Sequence, residues 1–355
     1  MSLDSIEAAR LKDKLGEFLA LQLPDFDHML AALQVKLQQR PLKAASMVVE
    51  HCIVQVKGDT KEHYFDKPWF GIIYRATERW YEERYGRALR SSQSKVVHGV
   101  VSVFNTPFEL AVPLTVREEV QPDGAFWVGF PNSVLPGERV LDWIGNPPNL
   151  EKLTLSEREA VSVDVVRIAQ HLRATCVNLM TADYPDCRSQ KLSQSIVLHL
   201  EKGAKDIVRD PRGLVSIAIW EFHLAAEKAI KVYLLQKGIN PPRTHNLDDL
   251  NCLSGAGTES VASKRLVSKL PAGAMAIRYR YGEAESPDFA GTIEIYLAAL
   301  ELIDHYTRGL TRRFTFNNAR FLLKAPPWME MRGLTSGRSG LGHDSYFDKA
   351  ADPGR

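Results

Sequence analysis

The uninterrupted run Leu214–Lys237 constrains this chain more than any other segment. Ala218, Phe222, Ala225, Ala226, Ala229, Val232 and Tyr233 recur through it at helical spacing. Alanines in the middle of an apolar face let a partner helix approach closely, so the run needs neighbouring helices to pack on. The sequence around it supplies them. Residues 188–206 carry Leu192, Ile196, Leu200 and Ala204 on one side, and Arg209-Asp-Pro-Arg-Gly213 separates them from the long run. Gly238 ends that run, and two prolines follow in Ile-Asn-Pro-Pro-Arg-Thr-His-Asn-Leu247. Thr244 or Asn246 can then cap a short helix whose first turn holds Asp248 and Asp249. Further helices are expected at 259–280 and 288–312, the second turning Ile293, Tyr296, Leu297, Leu300 and Ile303 inward.

The N-terminal half mixes two periods. Leu11, Leu15, Phe18, Leu19 and Leu23 form one helical stripe and Met29, Leu30, Leu33 and Leu37 another, with an interruption expected at Pro24. Pro41 opens a further helix, and Pro68–Tyr85 forms one whose inner face is Phe70, Ile73, Tyr74, Thr77, Tyr81 and Tyr85. Three β-branched runs follow, Val96–Phe104, Phe108–Val116 and Ala125–Phe130, the last after the turn Gln121-Pro-Asp-Gly124. They read as a small antiparallel meander. Ser156-Glu-Arg-Glu159 has the capping-box pattern ahead of a stripe of Val161, Val165, Ile168, Leu172, Cys176 and Leu179.

The expected fold is therefore α+β and predominantly α. An N-terminal domain, 1–185, holds helices and the meander; a helical bundle occupies 186–324; a Gly-rich tail, 325–355, is too poor in apolar residues to order itself. A net charge of +2 gives no global case for nucleic acid, although basic residues are in modest excess in the C-terminal half. Cys52, Cys176, Cys187 and Cys252 lie far apart with no metal-ligand spacing, so free, buried thiols, a cytoplasmic setting and no metal or cofactor are expected. No apolar run is long enough to span a membrane.

Three segments carry the candidate ligand-binding residues Lys228, Lys231, Arg243, His245, Arg278, Tyr279 and Arg280. Lys228 and Lys231 can meet phosphates, although Glu227 and Lys231 also fit an exposed helix pair contributing about 0.3 kcal/mol. His245 can either fix its loop by a hydrogen bond or contact a phosphate. Arg278 and Arg280 can bind phosphate bidentately while Tyr279 stacks on a base; alternatively Tyr279 and Tyr281 are core and the arginines solvated.

Taken in order, Ala-Ala-Glu-Lys-Ala-Ile-Lys, Gly-Ile-Asn-Pro-Pro-Arg-Thr-His-Asn-Leu and Arg-Tyr-Arg-Tyr-Gly resemble the HEPN domain, over about residues 186–312. The resemblance implies a bundle that often dimerises and binds nucleotides or RNA. Many relatives are metal-independent ribonucleases marked by an Arg followed four to six residues later by a His. Arg338 and His343 have that spacing, but in the Gly-rich tail, and the second Arg-Tyr pair runs into Gly282-Glu-Ala-Glu-Ser-Pro-Asp288 with no His. In-line transfer needs a proton acceptor beside the attacking 2′-hydroxyl, so binding is favoured over cleavage and no catalytic residue is assigned. Two other readings stand beside it: a ribonuclease toxin, in phage defence, using His245 with Arg243 or Arg278, and a purely structural homodimerisation module.

Overall fold

The computed structural model describes residues 3–90, 96–120, 125–255, 258–316 and 319–324. The Gly-rich tail with Arg338 and His343 and the turn at 121–124 lie outside the described residues. In chain order come α1 (Leu3–Ala32), α2 (Arg40–Met47) and α3 (Pro68–Tyr85), then β1 (Val96–Val103), β2 (Thr106–Pro113), β3 (Val116–Val120) and β4 (Ala125–Gly129). The remainder is α4 (Leu155–Thr181), α5 (Cys187–Arg209), α6 (Val215–Gln236), α7 (Leu247–Leu253), α8 (Thr258–Val267), α9 (Gly273–Arg280), α10 (Phe289–Arg308) and β5 (Arg320–Lys324). The fold is α+β and mostly α, and it divides into two compact units, one holding α1–α3 and the other β1, β2 and α4–α10.

In the first unit α1 runs through Pro24 instead of breaking there. An interior proline costs about 3 kcal/mol. Leu19, Leu23 and Leu30 on either side of it are buried, each contributing about 1.5–3 kcal/mol, so continuity wins. Phe18, Met29 and Leu33 stay exposed, and the side chain of Leu11 is outside the described set. From α3, Phe70, Ile73, Thr77 and Tyr81 are buried as expected, while Tyr74 and Tyr85 are half-buried against the same core.

The β segment departs from a single meander. β1 and β2 form a two-stranded antiparallel pair with Val96 opposite Pro113 and Val103 opposite Thr106. Phe104 and Asn105 both have positive φ, the backbone that a tight two-residue hairpin requires. Pro113 cannot donate to a ladder and the strand bends after it, so the third run pairs elsewhere, in a sheet of order β3-β4-β5.

In the second unit the capping box sits two residues earlier than expected. Thr154 caps α4, and Glu157 rather than Glu159 returns the bond, its Oε2 accepting from Thr154 N at 2.8 Å. The sequence Thr-Leu-Ser-Glu157 satisfies the same pattern and starts the helix sooner. The break expected at 181–187 is a turn between α4 and α5, which share one core with β1 and α6. Residues 259–280, expected as one helix, divide into α8 and α9, since Pro271 has no N–H to continue the first. The four cysteines are free, but Cys187 and Cys252 are exposed and the other two half-buried.

The centre of this unit is an aromatic pair, Phe222 of α6 and Tyr296 of α10, with ring centroids 5.0 Å apart. A glycine backs each ring. A Cβ on Gly203 of α5 would lie 2.5 Å from Phe222 Cε1, and one on Gly99 of β1 would lie 2.7 Å from Tyr296 Oη. Ala218, Ala225, Ala226 and Ala229 are all buried around Phe222. A second anchor is Arg173 of α4, whose side chain is wholly buried. It donates to both oxygens of Glu138 at 2.7 Å, to Ser133 O at 2.9 Å and to Pro113 O at 2.8 Å.

Two stability outcomes follow. Gly203→Ala should cost about 1–3 kcal/mol through overpacking, read as a lowered Tm with unchanged helix content. Arg173→Met should cost about 3–5 kcal/mol, because it strands the Glu138 carboxylate, and chemical denaturation would measure it. A neutral result for either would contradict the packing described.

Candidate functional site

Two of the buried charges of the second unit lie on α6. Glu221 and Glu227 lie six residues apart, each buried, and each is met by one lysine and one histidine. Both carboxylates require these donors, since a buried carboxylate without them is strongly disfavoured.

Glu221 faces α5. Its Oε2 lies 2.5 Å from His199 Nδ1, and its Oε1 accepts from Lys202 Nζ at 2.8 Å. A carboxylate only accepts, so Nδ1 carries the proton and Nε2 is the acceptor. Lys228 Nζ meets that Nε2 at 2.5 Å and also donates to Ser195 Oγ at 3.0 Å. Burial works against the charge on Glu221, but the bonds from His199 and Lys202 outweigh it and hold the carboxyl below the usual range. Lys202 is pushed upward by Glu221 and Asp206 against the effect of its own burial, while burial lowers Lys228.

Glu227 faces the connector between α6 and α7. Its Oε1 accepts from Lys231 Nζ at 2.6 Å and its Oε2 from His245 Nδ1 at 2.8 Å. Lys231 also donates to Thr244 O at 2.9 Å, and Asn246 caps α7. The Glu227–Lys231 pair is thus interior and not the exposed pair its spacing suggests. His245 is 46% exposed at its side chain, with Nδ1 fixed and Nε2 on the far side of the ring. His223, wholly buried, donates from Nε2 to His245 O at 2.7 Å. Burial holds the His223 pKa below its ordinary value. Gly273 closes the other side of the connector, where a Cβ would lie 2.7 Å from the same carbonyl oxygen.

Trp220 links this cluster to α9. Its ring stacks on His223 at 6.0 Å, meets His245 edge-on at 5.4 Å and carries the Arg280 guanidinium 5.3 Å from its centroid. Lys231, His245 and Arg280 therefore come together, while Lys228 turns to α5. Arg243 is exposed on the connector, and Arg278 is exposed with its Nη2 on Glu283 O at 2.9 Å. Tyr279 is half-buried but Tyr281 is 65% exposed, so the alternative of two core tyrosines fails: α9 is helical and its sides do not alternate.

Sequence reasoning misses the contribution of α5. Arg188, Lys191, Ser195, His199 and Lys202 follow one another at three- and four-residue steps, which puts them on one face. Arg188, Lys191, Ser195 and Lys228, with Cys187 and Leu192, line a shallow depression of about 450 Å³. The signal is present as spacing. It is masked because the same helix also carries the apolar stripe from Leu192 to Ala204, which dominates its pattern. Arg167 also stands four residues before His171 on α4, a second Arg–His instance beside the one in the tail, but its guanidinium reaches Glu301 at 3.5 Å.

Residues 200–304 match the family model of the HEPN domain, so the C-terminal part of the chain carries that domain. No curated protein and no solved structure matches the chain. Among the described residues no helix is long and apolar enough to cross a membrane.

The lowered pKa of His223 sets a pH dependence. Below about pH 6.5 the unfolded chain binds a proton that the folded chain resists, so the stability due to a neutral His223 is present above that pH and lost as pH falls. His223→Gln retains a donor for the His245 carbonyl and removes the titration. Urea unfolding at pH 7.5 and 5.5 should show a smaller loss in the variant than in the parent; equal losses would contradict a neutral, buried His223.

Proposed function

We propose that the HEPN domain of this chain binds RNA or a nucleotide through its phosphates, along α5 and around the connector, as a binding module and not a nuclease. The observation that carries this reading is the cationic row on α5. Arg188 and Lys191, one turn apart, can each meet a phosphate, whereas Lys202 further along is held by Glu221 and Asp206. Arg188 and Lys191 are exposed, and Lys228 adds a third cationic group to the same depression. Charge-assisted bonds to phosphate from such groups are the usual source of sequence-independent affinity.

The connector provides the second contact region. His245 and Arg280 flank Trp220, with Arg243 two residues before His245 and with Arg278 and Tyr279 on α9 beside Arg280. In this reading Arg243, Arg278 and Arg280 take phosphate oxygens, Tyr279 offers a ring for a base, and Lys228 serves the α5 row. Lys231 acts indirectly, its ammonium being held by Glu227 and the Thr244 carbonyl that support His245.

One observation favours a second reading, a metal-independent ribonuclease. His245 has its Nδ1 held by a carboxylate and its other nitrogen outward, the arrangement of a general base.

A labelled 12-nucleotide single-stranded RNA separates the two. Binding without breakdown on a denaturing gel is expected. Combined Arg188→Ala, Lys191→Ala and Arg280→Ala should weaken binding at least tenfold. The same triple change should flatten the slope of log affinity against log salt by about 0.7 for each phosphate pairing removed. Equal affinity in parent and variant would remove the proposal. RNA fragments that disappear with His245→Ala would replace it with the nuclease.

A further inference from the structure

A second pocket, of about 350 Å³, opens between α4 and α10 and shares no residue with α5 or the connector; Gln170, His171, Asn178, Asp304, Arg308 and Arg312 line it. At its floor Asp304 is 2% exposed. Its Oδ2 accepts from His171 Nδ1 at 2.8 Å and from Arg308 Nη2 at 2.6 Å. Its Oδ1 is buried with no hydrogen-bond partner among the described residues. A charge in the interior that leans on only two donors holds both of them firmly in place.

The donors so fixed retain capacity. His171 Nδ1 is engaged by Asp304, which leaves Nε2 for a ligand. Arg308 is 68% exposed at its side chain and commits one terminal nitrogen to Asp304. Arg312 commits one terminal nitrogen to Asn178 Oδ1 at 2.6 Å, and Asn178 itself is buried. The backbone of Arg312 is bridged to Ala182, so this second guanidinium is anchored at both ends. The wall opposite includes Ser133, whose carbonyl is gripped by the buried Arg173 at 2.9 Å. Two arginines oppose one carboxylate, so the pocket is net positive, and it is too small for a macromolecule.

We propose that this pocket binds a phosphate dianion, as the free ion or as the head of a small phosphomonoester. Arg308 and Arg312 pair with its oxygens through the donors that Asp304 and Asn178 leave unused. Their planar forks suit such oxygens. His171 Nε2, left as an acceptor while Nδ1 donates to Asp304, meets the P–OH of the free ion, or donates to a phosphate oxygen when the ring carries both protons. The site stands whether or not α5 binds RNA.

Isothermal titration of the full chain with inorganic phosphate and, separately, with AMP tests it. Saturable binding of either, weakened at least tenfold by Arg308→Ala and by Arg312→Gln, supports the proposal. Phosphate binding alone identifies the free ion as ligand, and AMP binding alone identifies the monoester. Lys205→Ala, an exposed cation that belongs to neither site, should leave both isotherms unchanged. The melting temperature of each variant without ligand, measured in parallel, checks that the fold persists; His171→Gln, which keeps a donor towards Asp304, provides an independent variant. No binding of either probe, or binding indifferent to Arg308, Arg312 and His171, overturns it, as does binding abolished by Lys205→Ala.

Discussion

The contact on which the second unit turns is the one between Phe222 and Tyr296, each ring backed by a glycine. Hydrogen in place of a methyl group at positions 203 and 99 is what lets α5 and β1 close on the two rings. The distance between α5 and α6 follows from that closure, and so does the reach of side chains across it. His199, Lys202 and Ser195 meet Glu221 and Lys228 only because the two backbones are this near. A seam even one methyl wider would turn those direct bonds into water-mediated ones. The apolar core and the polar network are in this sense one piece of construction.

Glu221 and Glu227 illustrate how a helix can hold two interior charges, each with its own donors. Their side chains leave α6 on different sides, so each finds its own lysine and histidine, one set from α5 and one from the connector. Neither carboxylate competes for the other's partner. Both histidines are thereby fixed in one tautomer, and both ammonium groups are held, that of Lys231 in the interior and that of Lys202 at an exposed position. Charge that would otherwise face a ligand is committed to structure, while exposed groups beside it, Arg188, Lys191, Arg243 and Arg280, are not so deeply tied.

The sequence disclosed the helices well and their partners poorly. α5, α6 and α10 were legible because their apolar residues recur at one period, and the three motifs, on α6, the connector and α9, sufficed to name the domain that residues 200–304 match. Spacing did not reveal burial: Glu227 and Lys231 look the same four residues apart whether inside or outside. Pairs such as His199 with Glu221, or His171 with Asp304, join helices whose separation in sequence carries no periodic signal. Local rules erred where two neighbouring segments satisfied the same rule, as with Thr154 and Ser156 for one cap. They also erred where tertiary burial overrode a breaker, as at Pro24.

The position of α6 has a dynamic consequence. It is buried along most of its length, and α5, α7, α9 and α10 all pack on it. Backbone amides of such an element exchange with solvent only through the largest openings of a fold. Glu221 and Glu227 therefore ride on the stiffest strut of the unit, whereas His245 is carried by an irregular segment pinned at a few points. Motion near this surface will be confined to the connector, with its imidazole moving against a fixed carboxylate rather than both drifting together.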